Sequence, residues 1–271
     1  MTISSIMVSV DLGPAAADRI RLAAGLAKGF EATLTGVAAR PVLTVMPVGD
    51  RLEVERVWAI EERLAGEQIA AARALFAREA TAARDARWRS ASMGPSTYLA
   101  AQARAADVVV VGRHGPADAD PGPMGVLPGA LLMEAGRPVL VAPPGVASLA
   151  ARRIVVAWKG TREARRAIHD ALPFLSRAEE VKVVAVGPGA DREGAEDVAA
   201  FLAGPRVGVT THLLHKPEIG AADEILRFAE REEADLIVTG AYGHTRLREW
   251  AFGGVTRDLL TTSPLCCLMS H

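Results

Sequence analysis

Two stretches, ADVVVVGRHG (residues 106–115) and ADLIVTGAYG (residues 234–243), read as one strand-and-turn unit occurring twice. A continuous apolar run that ends in glycine suits a strand buried on both faces of a parallel sheet. Two further pairs lie in the same order: VSVDLG with VAWKGT, and GRPVLVAP with TSPLCCLM. The chain is therefore an internal duplication, and each half is of ordinary domain size. The expected domains are 1–145 and 150–271, joined by PPGVASLAA (143–151).

Within each half, strand-like runs alternate with helical ones. Strands are expected at 2–10, 32–39, 87–93, 107–112 and 137–143, and again at 152–158, 180–187, 207–214, 234–240 and 263–270. The stretches between them have helical composition; the longest, Arg51 to Arg84, spaces Val54, Val57, Ile60, Leu64, Ile69 and Leu75 at helical intervals. Such alternation gives an α/β fold, a parallel sheet with helices on both faces.

Composition excludes several functions. The 31 basic and 32 acidic residues leave a net charge of −1, without the basic footprint of a nucleic-acid binder. Aromatic residues make up 4%, too few for base-stacking platforms. No apolar run reaches the roughly 18 residues of a membrane span, and MTISSIMVSVDLG lacks the pattern of a signal peptide, so a cytoplasmic protein is expected. Cys266 and Cys267 fit neither a zinc spacing nor a disulfide framework and read as small residues of a buried strand. His212 and His215 point to opposite faces of a strand, so they do not share a metal. No Walker motif, G-x-S-x-G elbow or H-E-x-x-H occurs; no catalytic residue and no metal ligand is expected.

Gly112, Gly115 and Gly125 follow the apolar strand of the first half; Gly240, Gly243 and Gly253 follow that of the second. Both triplets read G-x2-G-x9-G. In an open parallel sheet, ligands bind beyond the carboxyl ends of the strands where strand order reverses. Glycines there let a backbone approach phosphate, and a following helix offers free N–H groups. In the second half that helix is expected to carry Gly254, Val255 and Thr256 in its first turn.

Over nearly its whole length the chain resembles the universal stress protein family in its tandem form. The resemblance implies two doubly wound domains, each a five-stranded parallel sheet of order 3-2-1-4-5. It implies an adenine nucleotide, ATP or AMP, with or without magnesium, the base contacted by an Asp at the end of the first strand. The phosphates and ribose would lie on the glycine loop and the hydroxyls after it. In the first half this places Asp11, Gly112, Gly115, Gly125 and Val126 at the site. There Val126 replaces the hydroxyl residue, Pro116, Pro121, Pro123 and Pro128 remove N–H donors, and Asp118 and Asp120 oppose phosphate. In the second half Trp158 stands where Asp is expected, as a stacking surface, and Gly254 replaces the first hydroxyl residue. Val186, Gly187, Thr239, Gly240, Gly243, His244, Arg246, Gly253, Val255 and Thr256 complete the set, which makes the second half the favoured site. The resemblance also implies a stress-response binding module rather than an enzyme, with a protein partner. The last strands of the halves are edges that could pair within the chain, and chains could pair further into a homodimer. The alternatives from the same residues are an interaction protein that has lost its nucleotide, or a weak ATP hydrolase.

Overall fold

The computed structural model describes residues 2–42, 51–205, 207–215, 217, 219–243 and 254–271. The strands are β1 (Ser5–Ser9), β2 (Thr33–Ala39), β3 (Ala86–Ala91), β4 (Val108–Gly112) and β5 (Val139–Ala142), then β6 (Arg153–Trp158), β7 (Glu180–Val186), β8 (Gly208–Leu214), β9 (Leu236–Gly240) and β10 (Cys266–Ser270). The described helices are α1 (Ala16–Phe30), α2 (Arg51–Glu79), α3 (Pro95–Ala103), α4 (Pro128–Glu134), α5 (Arg162–Leu175), α6 (Ala195–Leu202), α7 (Ala221–Arg231) and α8 (Gly254–Thr262).

All ten strands form one sheet in the order β3-β2-β1-β4-β5-β10-β9-β6-β7-β8. Each half is parallel and has the order 3-2-1-4-5. The single antiparallel junction, β5 with β10, joins the halves, as expected of strands that would otherwise be bare edges. Its register is self-complementary. Val139 occupies in β5 the place of Cys267 in β10, and Val141 that of Met269, since they pair with equivalent residues of β4 and β9. Across the junction Leu140 faces Leu268, while Val141 faces Cys267 and Val139 faces Met269. A pseudo-twofold axis therefore passes between Leu140 and Leu268.

Successive strand residues point to opposite faces of the sheet. Ile6, Val8, Val110, Leu140, Val156 and Leu268 pack under α1, α2, α5 and α6. Met7, Val109, Val111, Val155, Ile237 and Cys267 pack under α3, α4, α7 and α8. Both layers are continuous across the halves. On the first, Phe30 of α1 meets Phe174 of α5 edge-on, with ring centroids 5.0 Å apart. The repeated Ala-Asp before β4 and β9 has a structural cause. Asp107 accepts the N–H groups of Ser4 (2.8 Å) and Ser5 (3.0 Å), and Asp235 those of Arg152 (3.0 Å) and Arg153 (3.2 Å). Each carboxylate thus pins the entry of the adjacent first strand.

Phe174 is buried at the contact between halves. Phe174→Ala is expected to cost about 3–5 kcal/mol of unfolding free energy by cavity formation, measured in urea, with both halves still unfolding together.

Candidate functional site

In the second half a crevice opens between the carboxyl ends of β6 and β9, the first and fourth strands, where strand order reverses. Its volume is about 180 Å³. Ala157 and Trp158 of β6 and Thr239 and Gly240 of β9 lie at its base, Val184 and Val186 come from β7, and Ala221 and Ile225 from α7. Thr161 and Ala164 at the start of α5 and Val255 and Thr256 in the first turn of α8 close the mouth. Thr161 caps α5 by accepting the Ala164 N–H. Gly240 is required by packing: a Cβ there would lie 2.5 Å from the Ala164 nitrogen, so only glycine lets α5 sit this close to β9. The Tyr242 N–H reaches Thr256 Oγ1 at 3.4 Å, which ties the loop to α8. Tyr242 has φ of 56°, a conformation costly for a bulky residue and found disproportionately at functional loops. Glu163, buried beside Gly243, is pushed up by burial, but hydrogen bonds from Arg162, from its own backbone and from Thr161 outweigh this and hold its pKa below the ordinary value. Among the described lining residues Lys159 alone carries a charge.

The first-half crevice, about 250 Å³, is filled with mutual pairing instead. Asp11 Oδ2 accepts from Arg19 Nη2 at 2.5 Å, both side chains 5% exposed, and Oδ1 accepts the Gly13 N–H at 2.9 Å. Arg19 Nε donates to the Ser9 carbonyl at 2.9 Å, so its guanidinium lies across the ends of β1 and β4 against Gly112. Asp118 pairs with Arg113 at 2.5 Å and accepts the Gly115 N–H at 2.8 Å; Asp120 accepts the Gly122 N–H at 2.8 Å. The carboxylates thus take N–H groups that a phosphate would use. Arg113 also donates to the carbonyls of Thr262 (3.2 Å) and Ser263 (2.8 Å), a cation at the C-terminal end of α8.

Comparison with known proteins bears on the fold. Residues 189–271, which run through α6 to β10 and include the second glycine loop, match the Universal stress protein family. The whole length of the chain also superposes on a universal stress protein from Archaeoglobus fulgidus DSM 4304, with a TM-score of 0.71 at 15% identity, covering 99% of this chain and 96% of that one. A putative universal stress protein from Pseudomonas aeruginosa UCBPP-PA14 gives 0.54 at 18% identity, covering 99% and 93%. A functionally unknown protein from Pseudomonas aeruginosa PAO1 gives 0.53 at 18%, covering 99% and 92%. At these identities the likeness shows the fold. No curated protein matches the chain.

Of the residues expected in the second-half site, Trp158, Val186, Thr239, Gly240, Gly243, Val255 and Thr256 line the crevice. Gly187, with φ of +119°, shapes the turn after β7, and Gly254 starts α8; neither lines it. His244, Arg246 and Gly253 lie outside the described residues. One assignment is corrected. Val8 pairs with Val110 and Val156 with Val238, so the residue equivalent to Asp11 is Lys159, and Trp158 is equivalent to Val10. The alignment of VSVDLG with VAWKGT already contained that register. In the first half Asp11 lines the crevice, whereas Gly112, Gly115, Gly125 and Val126 do not. Gly112 packs on Arg19, Gly115 on the Thr261 carbonyl of α8, and Gly125 on Pro121, while Val126 is buried in the core. Close packing against protein, not room for phosphate, accounts for these glycines. Lys159, Thr161 and the α7 residues were missed because they come from segments outside the motif.

Arg19→Met should cost about 3–5 kcal/mol in urea unfolding, because it strands a buried carboxylate. Adding Asp11→Asn should recover at least about 1 kcal/mol of that loss. The Arg113 guanidinium, aided by the Gly115 N–H, holds Asp118 below its ordinary pKa against the opposing effect of burial. The unfolded chain then binds the proton more readily, so this stabilisation is present at neutral pH and fades as pH falls below about 3.9. Asp118→Asn should flatten the decline in Tm between about pH 5 and pH 3.

Proposed function

We propose that the second-half crevice binds an adenine nucleotide, ATP or AMP, and that occupancy biases the protein's contacts with a partner during a cytoplasmic stress response. The observation that supports this most is the cavity's position: it lies at the strand-order reversal and is bordered by Gly240, Gly243 and the first turn of α8 with Thr256. About 180 Å³ is below the roughly 300–1,000 Å³ of sites that enclose whole ligands. The cavity takes the base, and the ribose and phosphates extend toward Lys159, Thr256 and the loop. Lys159 at the Asp11-equivalent position supplies a counter-charge for phosphate rather than an acceptor for the adenine amino group. The described lining has hydroxyls and no carboxylate, so magnesium would be held by the phosphates and water. Binding without turnover is the expected activity.

The competing reading, a nucleotide-free interaction protein, draws on the self-paired first-half crevice and on Lys159. Because β5 and β10 are used within the chain, a homodimer would need another surface.

Calorimetric titration of the ligand-free protein with ATP and Mg²⁺ tests the proposal. Micromolar binding is expected, abolished by Gly243→Glu, weakened at least about tenfold by Lys159→Glu, and unchanged by Arg113→Ala. No release of inorganic phosphate should accompany it. Absence of heat up to millimolar ATP, with GTP and AMP equally silent, would establish the competing reading.

A further inference from the structure

Trp158 also walls a second cavity, about 610 Å³, between α5 and the loop leading into α6. That volume is within the roughly 300–1,000 Å³ range of small-molecule sites. Among the described residues the cavity shares only Trp158 with the crevice.

Its apolar surface is aromatic and aliphatic. The Trp158 indole is set in place by Nε1 donating to the Glu193 carbonyl at 2.6 Å. Ile168 is buried on α5, and Phe201 on α6 is 67% exposed. An aromatic ring this exposed, across a cavity from a nearly buried indole, leaves apolar area that a flat molecule would remove from water.

The charges on the rim are unequal in their partners. Glu193 Oε2 accepts the Gly160 N–H at 2.6 Å. Asp197 lies in the first turn of α6, where the helix dipole favours a carboxylate. The nitrogen-bearing side chains are less engaged. Arg165 gives one N–H to the Gly160 carbonyl at 3.2 Å and keeps the rest of its fork. Arg192 and His169 are exposed, and their side chains have no hydrogen bond or ion pair among the described residues. Donors of Arg165, Arg192 and His169 thus border a slot whose Glu193 carboxylate already holds a backbone N–H.

We propose that this cavity binds a small planar aromatic carboxylate, with its ring between Trp158 and Phe201 and its carboxylate on Arg192 and His169. A flat ring suits the two aromatic walls, and a carboxylate suits the planar guanidinium fork. The site is independent of nucleotide in the crevice.

The test uses the full chain and 2-naphthoate, followed by calorimetry and ligand-observed NMR. One saturable site is expected. Phe201→Ala and Arg192→Ala should each weaken binding about tenfold, with Tm unchanged because both side chains are exposed. Gly243→Glu and saturating ATP should leave it unaffected, which separates this site from the crevice whether or not the crevice binds nucleotide. The cationic analogue 2-naphthylmethylamine should bind at least about tenfold more weakly. The proposal is overturned by lack of saturation at millimolar 2-naphthoate, by equal affinity for the cation, or by full binding in both variants.

Discussion

The antiparallel pairing of β5 with β10 is the constraint from which most of the molecule follows. Every residue of both strands is buried, so neither could remain a solvent-facing edge without exposing apolar side chains and unpaired backbone groups. Pairing them inside the chain closes both edges with one interaction. Because Leu140 meets Leu268, the junction is isologous, and the helical layers of the halves become continuous. The same antiparallel sense turns the two crevices to opposite ends of the sheet. It also lays α8 between them, with Thr256 of its first turn at the second crevice and its last carbonyls on Arg113 of the first.

On this common frame the crevices have taken different chemistry. The first has resolved its polar groups internally: Asp11 with Arg19, and Asp118 with Arg113 and the Gly115 N–H. The second keeps a smaller, mainly apolar space with hydroxyls and one lysine. The divergence depends on few positions. Eight residues after Asp11 stands Arg19; eight after Lys159 stands Ala167, buried and without charge. Trp158 adds a feature absent from the first half, where its equivalent is Val10. Its indole spans from the crevice to the cavity beside α6.

The sequence by itself determined the duplication, the parallel α/β architecture, the positions of nearly all strands and the placing of Gly240, Gly243 and Thr256 at a strand-order reversal. Those features are written in periodicity and in repeated strings, which depend on neighbours along the chain. Seven of the expected second-half residues line one crevice for that reason. Only the tertiary structure decided the rest. That Asp11 is paired depends on an arginine one helical segment away, and that Gly115 is packed depends on Thr261 in the other half. The strand register confirmed the equivalence of Lys159 with Asp11 that the aligned strings contained, while packing alone turned Trp158 toward Glu193. Hydrophobic pattern specifies which face a residue takes, but hydrogen-bond partners and close approaches are set by packing between distant segments, which no local pattern encodes.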